Sequence, residues 1–204
     1  MDRQRHWNDV FIKRAEGDVS WFELLPATSI RLLEAAGLST DTCVLDVGGG
    51  DSHLIDHLMA RGLDCLAVLD VSGAALARAR ARLGPAASIP IRLETDVAND
   101  WSLKPMDIWH DRAVFHFLTE NHDRERYRFH LLRTLKEGGS AILATFAPDG
   151  PDRCSGLPVV RYSPESLCTE LGPAFGLIES VPHVHTTPWG ATQSFLYCRF
   201  RRVQ

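Results

Sequence analysis

Two short stretches gather residues able to do chemistry. The first is VLDVGGGDS (44–52), in which an apolar run ends at Asp46 and leads into Gly48–Gly49–Gly50. The second is IWHDRAVFHFL (108–118), which places His110, Asp111, Arg112, Phe115 and His116 together. Glycines behind a strand let the backbone come close to a ligand. A carboxylate accepts at two oxygens, so one aspartate can hold both hydroxyls of a diol. His110 and Asp111 are candidate general bases for a substrate within hydrogen-bond reach.

Dinucleotide-binding turns follow G-x-G-x-x-G/A, with a small last residue that lets helix and strand pack closely. Gly48 and Gly50 fit that spacing, but the last position is His53. Asp46 adds a carboxylate where a pyrophosphate would lie. Both features turn the reading away from NAD or FAD and toward a cationic ligand without phosphates.

VLDVGGGDS resembles the first motif of the class I S-adenosylmethionine-dependent methyltransferases, apolar-apolar-D-x-G-x-G-x-G, with Ser52 at the third glycine. The resemblance covers about residues 40–146 and extends to LKEGGSAILATF (135–146). It implies S-adenosylmethionine as cofactor, held by Trp21, Asp46, Gly48, Gly49, Gly50, Asp70, Val71, Asp96, Val97 and His110. Asp70, which ends the second strand 24 residues after Asp46, would take the ribose hydroxyls. Asp96 would accept from the adenine amino group beside a Val97 N–H. HWNDVFIKRAEGDVSWF (6–22) is similar to the family's aromatic lead-in, so Trp21 and Phe22 are expected to form a lid, or else to join Trp7 and Phe11 in a satellite core.

Positioning these residues requires alternating strands and helices. Helices are expected over 7–15 and 27–36, the second ending at Gly37. Strands are expected over 42–47, 64–71, 89–97, 106–111 and 140–146, with helices at 52–62, 73–84 and 122–136 between them. A loop at 147–161 leads to a helix at 164–171 capped by Ser163, then to strands 177–185 and 193–200 with no helix between. The pattern predicts an α/β, doubly wound, seven-stranded and mostly parallel sheet with a C-terminal antiparallel hairpin. One domain over 1–204 is expected, with 1–39 as a helical lead-in and 40–204 as the core.

The acceptor side is expected at the end of the fourth strand. His110 and Asp111 are the catalytic candidates, and Asp111 is equally a helix cap. Arg112, Phe115, His116, Arg153, Tyr162 and Trp189 are the candidate substrate contacts. Displacement at a sulfonium is driven by alignment, so a thiolate or neutral amine reacts without a base. A small-molecule thiol or amine is the first reading and protein lysine the alternative. A nucleotide-binding protein without transferase activity and an NAD(P)-dependent oxidoreductase are carried as other classes.

Composition sets further bounds. With net charge −4 over 204 residues, the chain offers no basic field for nucleic acid, and it lacks the N/D-P-P-Y/F motif of base methylation. No apolar run is long enough for a membrane span, and MDRQRHWNDV has no apolar core of a signal peptide. Five cysteines without a CxxC spacing, with Cys43 and Cys65 expected as buried free thiols, point to a reducing cytoplasm. Cys154, His183 and His185 are a sparse ligand set, and no metal site is expected.

Overall fold

A computed structural model describes residues 2–203. Its elements run α1 (Arg3–Lys13), α2 (Ala27–Ala35), β1 (Val44–Val47), α3 (Leu54–Ala60), β2 (Leu66–Asp70), α4 (Gly73–Leu83) and β3 (Ile91–Glu94). They continue with β4 (Met106–Arg112), α5 (Asn121–Thr134), β5 (Leu135–Phe146), β6 (Arg153–Cys154), β7 (Leu157–Pro158), α6 (Pro164–Leu171), β8 (Phe175–Thr186) and β9 (Thr192–Arg202). The main sheet has seven strands in the order β3-β2-β1-β4-β5-β9-β8. β1 to β5 pair in parallel and β9 pairs antiparallel with both β5 and β8. This is the doubly wound sheet with the trailing hairpin that the sequence predicts.

Period-two alternation sorts each central strand between two cores. Leu45, Val47, Trp109 and Leu143 pack on one face with Tyr127 and Leu131 of α5 and Leu167 of α6. Val44, Val68, Ile108 and Ile142 pack on the other with Leu33 of α2, Leu54 of α3 and Leu76 of α4. Burial of each such side chain contributes about 1.5–3 kcal/mol. Local signals fix the helix starts: Ser72 accepts from the Ala75 N–H at 3.2 Å, and Ser163 forms a reciprocal capping box with Ser166.

Three features depart from the sequence expectations. β5 begins at Leu135 rather than at 140, because Gly138 at φ +70° lets the chain bulge against β4 between Leu135 and Ser140. The 147–161 segment contains a hairpin of β6 and β7, whose two-residue turn places Ser155 at φ +49° and Gly156 at φ +79°. The third correction concerns Cys43 and Cys65, which form a disulfide. They lie one residue before β1 and β2, whose Val44–Leu66 register sets them side by side. The free thiols among the described residues are Cys154, Cys168 and Cys198. No helix among the described residues is long and apolar enough to cross a membrane.

Candidate active site

The strand order reverses between β1 and β4, which opens a crevice at the carboxyl ends of the parallel strands, the usual ligand position in such sheets. The three glycines that follow β1 are each required by crowding. A Cβ on Gly48, at φ +68°, would stand 2.0 Å from Val114 Cγ2. One on Gly49 would stand 2.3 Å from Asp46 Oδ2, and one on Gly50 2.5 Å from Asp70 Oδ2. The turn is thus wrapped around two carboxylates.

Asp46 is 2% exposed. Its Oδ1 accepts from His110 Nδ1 at 2.7 Å, and His110 Nε2 lies 2.9 Å from Ser29 Oγ. Asp46 Oδ2 is buried and has no hydrogen-bond partner. Asp70 accepts from the Gly50 N–H at 3.0 Å and the Ser72 N–H at 2.7 Å. Burial, reinforced by the nearby Asp46 charge, pushes its carboxyl up to about 7 despite those two bonds. Asp96 follows β3, accepts from the Ala98 N–H at 2.9 Å, and pairs at 3.1 Å with Arg3 of α1. Arg3 also bonds Asp123 at the start of α5.

The crevice encloses about 840 Å³ of empty space, counting solvent at its mouth. Gly48, Asp70, Val71, Asp96 and Val97 line one end of it. Its roof is aromatic. Trp7 meets Trp21 edge-on at 5.7 Å and Phe117 at 5.1 Å, and Phe11 meets Trp21 at 6.1 Å. Arg112 donates to the Trp21 carbonyl at 3.0 Å, and Asn8 Oδ1 accepts from Ser72 Oγ at 2.8 Å and the Ala74 N–H at 3.1 Å. These bonds fix α1 and the Trp21–Phe22 turn across the crevice. An adjoining recess is lined by Phe22, Glu23, Asp46, Gly49 and His110.

The acceptor candidates divide. Arg112 lines the crevice beside Cys154, Gln193 and Phe195. Asp111 is fully buried and turned into the fold. Its oxygens accept from the Val114 N–H at 2.9 Å, the Phe115 N–H at 3.1 Å and Tyr127 Oη at 2.7 Å, so it caps the turn at Phe115–Phe117. Burial raises its carboxyl to about 6. Phe115 and Tyr162 pack against each other in the core at 5.4 Å. His116 accepts from the Phe146 N–H at 3.2 Å, and burial depresses it to about 3, which keeps it neutral. Arg153 is exposed and donates to the Gly156 carbonyl at 3.0 Å; Trp189 is 58% exposed in the last turn. Neither Arg153 nor Trp189 lines the crevice.

Sequence reasoning passed over Arg3, Glu23, Gln193 and Phe195. Gln193 Oε1 is buried without a partner at the crevice wall. None of the four sits in a recognisable motif; the fold brings them in from the lid and from β9.

A glycine turn closed around two buried acids sits at the switch point of the seven-stranded sheet, the position where such folds take a ligand. Residues 44–139 match the family model described as a methyltransferase domain. The chain is 25% identical over 193 residues to the EEF1A lysine methyltransferase 2 of Danio rerio, which spans 89% of this chain and 78% of that relative. It superimposes on a protein studied for the conversion of a disulfide bond into a thioacetal group during echinomycin biosynthesis. That likeness has a TM-score of 0.77 at 18% identity and covers 98% of this chain and 93% of the other. The N-methyltransferase NodS of Bradyrhizobium japonicum, in complex with S-adenosylhomocysteine, gives 0.71 at 17% identity, with 97% and 98% covered.

Proposed function

We propose that the chain is a one-domain enzyme that moves the methyl group of S-adenosylmethionine to a sulfur or nitrogen of a small molecule, with residues 1–39 as its lid. The observation that carries the cofactor reading is Asp46 Oδ2, a carboxylate oxygen buried without a partner beneath the glycine turn. A buried acceptor of this kind is costly unless a donor reaches it, and an ammonium supplies both donor and opposite charge. Asp70 retains lone pairs for two ribose hydroxyls, Asp96 and the Val97 N–H suit an adenine edge, and Val71 flanks the same end of the crevice.

When bound, S-adenosylmethionine supplies an electrophilic methyl group on a sulfonium. The chain's part is placement. Gly48–Gly50 admit the ligand to the backbone, the aromatic roof excludes water and faces the cation with ring electrons, and His110 fixes the Asp46 carboxylate. A thiolate acceptor becomes a thioether. A neutral amine gives an alkylammonium that releases one proton to solvent. His110 has both ring nitrogens engaged, so it serves as a positioning residue.

The roof of α1 and the buried Gln193 oxygen favour a small acceptor with an N–H to donate. The similarity to a lysine methyltransferase supports protein lysine as the second reading. A cytoplasmic setting remains a proposal without the support of free thiols at Cys43 and Cys65, which are joined in a disulfide. Calorimetry with S-adenosylhomocysteine against NAD tests the cofactor, and labelled methyl transfer to metabolite and protein fractions tests the acceptor. Tight NAD binding without a response to S-adenosylhomocysteine sinks this reading.

A further inference from the structure

We infer that Glu23, His183 and His185 form a site for one divalent transition-metal ion of the zinc type. Their ligand atoms lie within 4.8 Å of one another. His183 and His185 share one face of β8, at the level where β9 and β5 pair through Phe195 and Phe146. The third ligand comes from the lid segment, 162 residues from His185 in the chain, which is why sequence spacing does not reveal it. Cys154 is not part of the group.

Proton placement supplies the argument. His185 is 4% exposed, and its Nε2 lies 2.6 Å from the Ser20 carbonyl oxygen, which only accepts. That nitrogen therefore carries the proton. Nδ1 faces Glu23 Oε1 at 3.1 Å, and in the tautomer with its proton on Nε2 that nitrogen presents a lone pair able to ligate a cation. His183 stands beside it, with Nδ1 3.2 Å from the Thr28 hydroxyl, which can donate or accept, and Nε2 3.7 Å from the same Glu23 oxygen. A cation between the three would take one lone pair from each.

The spacing suits such an ion. Zinc ligands stand about 2.0–2.2 Å from the metal, so neighbouring atoms of a tetrahedral shell are about 3.3 Å apart. The two contacts to Glu23 Oε1, at 3.1 and 3.7 Å, bracket that value. The outer contacts are also those of metal-bound residues, whose second atoms are held by a carbonyl, a hydroxyl or a cation. Here Ser20 holds His185, Thr28 is placed to hold His183, and Arg112 stands 3.5 Å from Glu23 Oε2. Imidazole with carboxylate suits zinc, cobalt or nickel over magnesium or calcium. The ion would tie the Trp21–Glu23 turn of the lid to the last strand of the sheet. It is independent of the methyl-transfer reading.

The test uses the full chain, stripped with a chelator and titrated with Zn²⁺ against a chromophoric competitor, and separately with Co²⁺. One equivalent should bind, with the visible d–d absorption of four-coordinate cobalt. His183→Ala and His185→Ala should each lower zinc affinity by about 100-fold or more, while His122→Ala on α5 leaves it unchanged. Circular dichroism establishes that each variant is folded, and the half-exposed His183 provides a substitution that spares the core. No stoichiometric uptake by folded wild type overturns the site, because hydrogen bonds among the three side chains then account for the contacts. Unchanged uptake in the His183→Ala/His185→Ala double variant overturns it equally, since other histidines then bind the ion.

Discussion

Asp46 and His110 are joined at 2.7 Å through one carboxylate oxygen, and the other oxygen is left buried and unpaired beneath Gly49. The pair is built across β1 and β4, which place the two residues directly opposite each other in register. Removing the charge while keeping the acceptor isolates the role of the free oxygen. Asp46→Asn should raise the Kd for S-adenosylhomocysteine by about 10-fold, the scale of one charge-assisted hydrogen bond. Its Tm should hold or rise, because a buried charge is gone. Calorimetry and a melting curve read the two effects, and an unchanged Kd would remove Asp46 from the cofactor site.

Asp70 makes cofactor affinity depend on pH. Its folded carboxyl titrates near 7, far above the ordinary 3.8, because burial opposes the charge. Between those values the folded chain binds more protons than the unfolded one, so stability of the ligand-free protein falls as pH rises from about 4 to about 7 and then levels off. Affinity moves the other way, since the ionised carboxylate is the better acceptor for ribose hydroxyls. S-adenosylhomocysteine should bind progressively tighter from pH 6 to pH 8. Asp70→Asn should flatten both profiles and weaken binding by about 10-fold or more. A wild-type affinity that is level over this range would contradict the ribose role.

The sheet and the glycine turn at its switch point were legible because their signals are local. Alternating strands and helices, the glycine triplet, and an aspartate at successive strand ends all lie within short windows of sequence. The acceptor end was not. Gln193 and Phe195 reach the crevice wall from β9, so their place there depends on tertiary placement alone. Asp111, Phe115, His116 and Tyr162 have the residue types of a site, yet Asp111 caps the turn after β4, that turn buries Phe115 and His116, and Tyr162, between β7 and α6, packs on Phe115. Register also decided the cysteines. Cys43 and Cys65 become neighbours only once β1 and β2 are aligned.

That disulfide is open to a direct count. The folded, unreduced chain should show three titratable thiols after denaturation, Cys154, Cys168 and Cys198, and five once reduced. The bond closes a loop with a sequence separation of 22 residues, for which unfolded-state entropy gives about 3 kcal/mol of stabilisation. Reductant, or Cys43→Ser with Cys65→Ser, should lower Tm by about 6–12 °C for a chain of this size. The cysteines lie at the opposite ends of β1 and β2 from the glycine turn, so S-adenosylhomocysteine affinity should be retained. Five free thiols without reductant would show that the pair does not close in solution.

Asp111 provides the sharpest separation between a catalytic and a structural carboxylate. Its raised carboxyl and its place beside His110 resemble a general acid or base, but every close partner belongs to the fold. Tyr127 Oη donates to it at 2.7 Å and itself accepts from Trp109 Nε1 at 2.7 Å, so α5 is bolted to β4 through this chain. Asp111→Ala strands the tyrosine hydroxyl and the Val114 and Phe115 N–H groups, a loss of about 2–4 kcal/mol. Tm should fall by about 5–15 °C. The methyl-transfer rate per folded molecule should stay within about threefold of wild type, where loss of a general base would cost about 100-fold or more. A rate collapse in a variant that is still folded at the assay temperature would return Asp111 to the reaction.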